Sequence, residues 1–260
     1  MRFELIETGE ADIEVMRSSE GPPDIVLLPG ANGGIRAYQA LCLAVAGHGF
    51  SVCGLNPRGC GASTGPLEGL TYRTLADDVA GVIAALCQGP VLLAGHAGGN
   101  RVARMLAARR PDLVSAVVLI AAGGEVPGEP EAIAAMRRAA DASLPRDERL
   151  AALADAFVAP GNPLPECYRE RGDRSNTFFR AFAAADRATP QEEWLGGGQS
   201  RMLVIQGRQD RIAPVANGHR LRKRFPDRVE VFDIDNAGHA LAFERPEDIA
   251  RLIATFADGL

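Results

Sequence analysis

The sequence predicts an α/β fold in which a mostly parallel, eight-stranded twisted sheet is flanked by helices. Short apolar runs rich in Val, Ile and Leu alternate with longer segments whose apolar residues recur every three to four positions. That alternation is the pattern of a sheet joined by right-handed helical crossovers. Glycine clusters stand where two of the apolar runs end, at 30–34 and 95–99. A hydrophobic content of 47% in 260 residues is enough to bury strands on both faces within one domain.

Taken in order, Phe3 to Ile6 and Ile13 to Met16 read as two short strands, a hairpin at the sheet edge. Asp24 to Leu28 is a buried strand running into Pro29-Gly30-Ala31-Asn32-Gly33-Gly34. A helix is expected from Arg36 to Ala46, then a strand from Phe50 to Leu55. Thr71 is placed to cap a helix through Leu86, because Leu75, Val79, Val82, Ile83 and Leu86 share one face. Val91 to Ala94 and Val114 to Ala121 read as central strands, separated by a helix from Arg101 to Arg110. From 124 to 197 seven prolines, Pro127 to Pro190, divide the chain into short helical pieces, among them 131–142, 146–157 and 176–185. Gly196-Gly197-Gly198 reads as the return to the sheet. Residues 202–206 and 229–234 are the last strands, with a helix between them ending near Phe225. Pro246 opens the final helix, at the first turn where its missing N–H costs nothing.

Composition narrows the function. A net charge of −5 argues against a nucleic-acid binder, which needs a basic face. No apolar run is long enough for a membrane span, and Met1-Arg2-Phe3-Glu4 lacks a signal-peptide core, so a cytoplasmic location is the default expectation. Cys42, Cys53, Cys60, Cys87 and Cys167 are scattered without metal-ligand or redox spacing and read as reduced thiols. Lys223 is the sole lysine among 28 basic residues, and its Arg-Lys-Arg setting on a helix face argues against Schiff-base chemistry. No His/Asp/Glu set has metal-ligand spacing, and Gly30-x-x-Gly33-Gly34 is not a dinucleotide fingerprint. Neither metal nor cofactor is expected. The chain is expected as a monomer or homodimer.

The chemistry concentrates at Gly95-His96-Ala97-Gly98-Gly99. A strand, a tight glycine-flanked corner and a helix form the setting of a nucleophile elbow, G-x-S-x-G, but the raised position holds Ala97. Together with Asn56-Pro57-Arg58-Gly59-Cys60-Gly61-Ala62-Ser63, Gly207-x-x-Asp210-x-x-x-Pro214 and Gly238-His239, this elbow resembles the small bacterial members of the α/β-hydrolase superfamily. Asn56 stands where that family usually has Asp. The resemblance covers nearly the whole chain and implies a serine-type triad lacking its serine. Ala97 takes the nucleophile position, Asp210 is the acid, His239 the base, and the N–H groups of Ala31 and Gly98 form an oxyanion hole. It also implies that 1–123 and 198–260 form the core domain and that 124–197 is a helical cap over the pocket. Candidate substrate contacts are Asn32, His96, Phe157, Phe178, Phe179, Trp194 and Leu241, the aromatic ones having plain core packing as the alternative.

A methyl group cannot attack a carbonyl. Three readings of Ala97 follow: a serine-to-alanine change made to trap a substrate, a native alanine in an enzyme whose His-Asp pair activates water, or a binding protein without turnover. The expected reaction is hydrolysis of an ester, amide or carbamate of a small organic molecule, with a cofactor-free lyase or oxygenase as the alternative. Gly61-Ala62-Ser63-Thr64-Gly65 also spells G-x-S-x-G, but it does not sit on a strand end and Pro66 blocks a following helix; Ser63 is expected to bond the local backbone instead.

Overall fold

The structure, a computed structural model, describes residues 1–31, 34–169 and 174–260. Its strands are β1 (Arg2–Glu7), β2 (Asp12–Arg17), β3 (Ile25–Leu28), β4 (Val52–Leu55), β5 (Val91–His96), β6 (Val114–Ile120), β7 (Arg201–Gly207) and β8 (Val229–Ile234). They form one sheet in the order β1-β2-β4-β3-β5-β6-β7-β8. β1 pairs antiparallel with β2 and β2 with β4, while every later pairing is parallel. This is the predicted α/β architecture with its hairpin at one edge.

The helices are α1 (Gln39–Gly47), α2 (Tyr72–Leu86), α3 (Gly99–Arg109), α4 (Pro130–Ala140), α5 (Arg146–Phe157), α6 (Glu166–Arg169), α7 (Arg174–Ala188), α8 (Ala216–Arg224), α9 (Leu241–Glu244) and α10 (Pro246–Ala257). Strand alternation divides the core into two layers. Val26, Leu28, Leu93, Val117, Leu119 and Val204 pack with residues of α2 and α3. Ile25, Leu27, Leu92, Val118, Ile120 and Ile205 pack on the opposite face with residues of α1 and α10. The central strands β3 to β6 are therefore covered on both sides, which accounts for their nearly unbroken apolar character.

Local signals place the helix ends. Thr71 Oγ1 accepts from the Thr74 N–H at 3.1 Å, and Pro246 occupies the first turn of α10. The helix expected from Arg36 instead begins as a 3-10 turn over Ile35–Tyr38 and becomes α-helical at Gln39. That break turns Tyr38 inward. The four-residue helices α6 and α9 fall below the length at which hydrophobic periodicity is readable.

Between β6 and β7 the chain runs through α4 to α7. Ala135, Leu153, Ala156, Phe157 and Tyr168 from this insertion form a third apolar cluster that closes on Ala240, beside His239. Asp186, Thr189 and Glu193 bond Tyr72 and Arg73 of α2 and Arg101 of α3. Among the described residues no helix is long and apolar enough to cross a membrane.

Candidate active site

The site lies at the carboxyl ends of the parallel strands, where loops from β3, β5, β7 and β8 converge. β5 ends at His96 and the chain reverses sharply. Ala97 takes a left-handed φ of +48°, its N–H bonds the Ile120 carbonyl at 2.9 Å, and the Asn100 N–H bonds the Ala97 carbonyl at 3.2 Å as α3 begins. A non-glycine residue at such a φ carries roughly 1–3 kcal/mol of strain and persists only where its surroundings enforce it. They do so here through backbone contact. A Cβ on Gly99 would lie 2.6 Å from the carbonyl oxygens of Leu28 and Pro29, and one on Gly95 would lie 2.6 Å from the Asn100 backbone. Gly99 must be glycine for the elbow to sit on the end of β3, and Gly95 for α3 to start against the end of β5.

This contact brings Ala31 beside Gly98: a Cβ on Gly98 would stand 3.3 Å from that of Ala31. Neither the Ala31 nor the Gly98 N–H has a hydrogen-bond partner among the described residues. Two adjacent free N–H groups beside a strand end can hold a developing negative charge. Asn32, the neighbouring candidate, lies outside the described residues.

Asp210 and His239 meet from the loops after β7 and β8. His239 Nδ1 donates to Asp210 Oδ2 at 2.9 Å, and Asp210 Oδ1 accepts from the N–H groups of Ile212 (2.9 Å) and Ala213 (2.7 Å). The carboxylate is thus held at three points, and of the two imidazole nitrogens Nδ1 makes the hydrogen bond among the described residues, leaving Nε2 on the opposite side of the ring. A histidine fixed through one nitrogen and open at the other can accept a proton. The His239 loop is tied down by Glu244, which accepts from the Gly238 N–H at 2.8 Å and from the Ala159 N–H at 2.9 Å.

The predicted pocket residues divide. The Phe157 ring lies 5.5 Å from that of His239. Phe178 lines a small apolar cavity with Pro29, Ala31, Gly99, Val102 and Phe182, immediately beside the free N–H groups. Phe179 is half-buried on α7 and is not part of that lining. Three candidates lie away from that lining. His96 is 2% exposed with both ring nitrogens engaged, to Tyr38 Oη and the His239 carbonyl, leaving nothing to offer a ligand. Trp194, 4% exposed, sits in the core against Tyr72 and Arg104. Leu241, fully buried, belongs to the layer beneath the sheet with α1 and α10. Phe182 was open to sequence reasoning, because its i, i+4 spacing from Phe178 puts the two on one helix face; Tyr38 carried no such signal.

The Asn56 loop is structural. Asn56 Oδ1 accepts from the Ile35 N–H at 2.7 Å, and its amide donates to buried Glu14 at 2.6 Å. The Ala62 N–H, Asn56 and Arg36 hold the Glu14 carboxyl below the ordinary range against a burial effect that pushes it up. Ser63 Oγ donates to the Asn56 carbonyl and accepts from the Glu14 N–H, as a loop-bonding serine does. Cys42, Cys53, Cys60 and Cys87 are free thiols, and burial pushes those of Cys42 and Cys60 up to about 12, away from thiolate chemistry.

The family model described as alpha/beta hydrolase fold matches residues 23–201. The AB hydrolase superfamily protein YisY of Bacillus subtilis is 30% identical over 224 residues, 81% of this chain and 82% of that protein. The pyrethroid hydrolase of Sphingobium wenxiniae is 27% identical over 260 residues, covering 90% and 88% of the two chains. A solved meta-cleavage product hydrolase from Pseudomonas fluorescens, a serine-to-alanine mutant complexed with acetates, superposes with a TM-score of 0.80 at 21% identity over 98% of this chain and 97% of that one. With the elbow geometry and the sheet order already described, these matches establish that the chain belongs to the α/β-hydrolase fold family.

Proposed function

We propose that the protein hydrolyses an ester, amide or carbamate of a small organic molecule without a serine nucleophile. His239, oriented by Asp210, takes a proton from water as that water attacks the substrate carbonyl. The N–H groups of Ala31 and Gly98 stabilise the oxyanion, and the protonated imidazole then returns its proton to the leaving group. Ala97 has no atom able to form an acyl-enzyme, so the reaction is a single displacement through a tetrahedral intermediate. The observation that carries this reading is the Asp210–His239 hydrogen bond through Nδ1, with no partner for Nε2 among the described residues.

Residues 124–197 act as the cap over this pocket, with Phe157 and Phe178 among its inward residues. Among the described residues the cavity beside Ala31 is lined by apolar side chains and backbone, which favours a neutral, apolar substituent on the carbonyl over a charged one. Losing the nucleophile from a triad leaves only the rate supplied by the anion site and binding, so the substrate is an intrinsically reactive acyl compound. A second reading, a base-only elimination or oxygenation at the same dyad, is favoured by Ala97 itself.

The test is a panel of activated esters and carbamates assayed with the wild-type protein and His239→Ala, with quenched mixtures weighed by mass spectrometry. Loss of hydrolysis in the variant, with no acyl adduct on the wild type, is expected. Equal rates in the two proteins would overturn the dyad reading.

A further inference from the structure

Tyr38 and His96 take no part in the reaction as proposed, yet they join its two halves. The Gly30 N–H donates to Tyr38 Oη at 2.9 Å, Tyr38 Oη lies 2.6 Å from His96 Nδ1, and His96 Nε2 lies 2.9 Å from the His239 carbonyl oxygen. The roles at the two ends are fixed, because an amide N–H only donates and a carbonyl only accepts. The direction of the series follows. Tyr38 accepts from Gly30 and sends its own proton to His96 Nδ1, and His96 carries its ring proton on Nε2 and donates it to the His239 carbonyl. The opposite tautomer would set an Nε2 lone pair against a carbonyl lone pair at 2.9 Å.

The sheet alone does not fix what this series fixes. Gly30 and Ala31 follow β3 and His239 follows β8, with β5, β6 and β7 between those strands. Among the described residues no backbone ladder joins the two loops. His96, at the end of β5, bridges the interval, and Phe243 wedges the arrangement with its ring 4.8 Å from Tyr38 and 5.9 Å from His96.

We propose that Tyr38 and His96 are positioning residues that yoke the Gly30–Ala31 turn to the His239 loop, with His96 acting as a neutral, Nε2-protonated bridge. Its catalytic consequence rests on the roles proposed above for Ala31 and His239; its structural half does not. Burial, with the neighbouring His239 adding to it, pushes His96 down to about 3 and keeps the ring neutral at ordinary pH. Removing the Tyr38 hydroxyl frees the turn and unties His96 Nδ1 at once, while the ring packing on Phe243 stays.

The experiment uses the full chain labelled with 15N, including its histidine rings, in wild-type, Tyr38→Phe and His96→Gln forms. At neutral pH the His96 ring is expected to show a protonated Nε2 and a bare Nδ1. In Tyr38→Phe the Nδ1 resonance moves to the position of an unbonded nitrogen, and the backbone amides of Ala31 and His239 shift together. On any ester the protein turns over, kcat falls about tenfold with little change in KM, as for one lost hydrogen bond of positioning value. His96→Gln keeps a donor toward the His239 carbonyl and recovers part of kcat, which separates positioning from a general loss of stability. An Nδ1-protonated His96, or amide changes confined to one of the two loops, would overturn the proposal. Absence of turnover on every substrate would refute the hydrolase reading and leave the tautomer and paired-shift result to decide this one.

Discussion

His239 Nδ1 and Asp210 Oδ2 stand 2.9 Å apart across two loops that follow neighbouring parallel strands, β8 and β7. The second carboxylate oxygen is already occupied by the Ile212 and Ala213 N–H groups, so Asp210 cannot rotate away. In Asp210→Asn the side-chain oxygen is expected to keep those two N–H partners, turning the NH2 group toward His239. Nδ1 must then accept, which moves the ring proton to Nε2 and blocks its use as a base. Hydrolysis is expected to fall about 10²–10⁴-fold while the protein stays folded. Steady-state rates together with a thermal melt check this; wild-type rates in the variant would remove the pair from the reaction.

Ala97→Ser is expected to convert a single displacement into a two-step one. The elbow already imposes the left-handed φ, so serine enters with no additional backbone strain. With His239 as its base, the introduced hydroxyl would form an acyl-enzyme, read as a burst of product and as a mass increase of one acyl group per chain. The variant would also react with a fluorophosphonate, which leaves the wild-type elbow unmodified. A variant that neither bursts nor labels would mean that His239 does not reach the elbow position.

Asn56 departs from its family's usual Asp, and Glu14 supplies the reason. The Asn56 amide donates to the Glu14 carboxylate at 2.6 Å in a buried setting. Asn56→Asp would place two carboxylates there, and one would have to hold a proton. The expected loss is about 3 kcal/mol at neutral pH. Because that shared proton raises a carboxyl pKa in the folded state, stability relative to wild type recovers as pH falls. Adding Glu14→Gln restores a donor–acceptor pair and most of the stability. Urea melts of the single and double variants at two pH values check both statements.

Stability should also respond to acid through His96. Its folded-state pKa lies near 3 and its ordinary value is 6.5, so between these the unfolded chain binds a proton that the folded chain refuses. The contribution is fully present above about pH 6.5 and declines by about 1.4 kcal/mol per pH unit as pH falls toward 3. The titratable groups facing the ring are Tyr38 and His239, and burial raises the Tyr38 hydroxyl, which stays protonated throughout. Carboxylates add their own acid dependence, so the measured quantity is the difference between wild type and His96→Gln. The variant is expected to be less stable at pH 7 and to have the shallower slope; parallel curves would show that His96 is charged in the folded protein.

The elements that position the site were legible because each signal is local. Glycines 95 and 99 bracket a strand-to-helix corner, Asp210 follows a strand within a turn, and His239 follows the last strand. Thr71 and Pro246 marked helix starts by side-chain chemistry confined to one turn. What stayed hidden depends on residues far apart in the chain. The partner of Asn56 lies 42 residues earlier, and those of His96 lie 58 residues before it and 143 after it. Trp194 and Leu241 have the composition of pocket residues, and only the packing of α3 and α10 shows them to be core. Phe179 and Phe182 differ by helical phase, and the spacing from Phe178 places Phe182, not Phe179, on the face that lines the cavity.

The neck of the α4–α7 insertion offers the last prediction. Arg104, 1% exposed on α3, donates to the Gly123 carbonyl at 2.9 Å, where the insertion leaves the sheet, and to the Leu195 carbonyl at 3.4 Å, where it returns. It also bonds the Asn100 carbonyl and side chain, and its guanidinium lies 4.5 Å from the centre of the Trp194 ring. Among the described residues no carboxylate bonds it, so the flat five-donor fork and the indole face together stabilise a buried cation. Lysine offers a compact point charge with neither feature. Arg104→Lys is therefore expected to cost about 3 kcal/mol and to make the chain between 123 and 197 more susceptible to protease. Arg73 also ties the insertion down, through Glu193, but both side chains are more than a third exposed or close to it. Arg73→Ala should cost no more than about 1 kcal/mol and leave the proteolysis pattern unchanged. Denaturant melts and limited proteolysis of the two variants side by side test the contrast, and equal losses would mean that the neck is held by packing on Trp194 and Leu195 and not by the buried guanidinium.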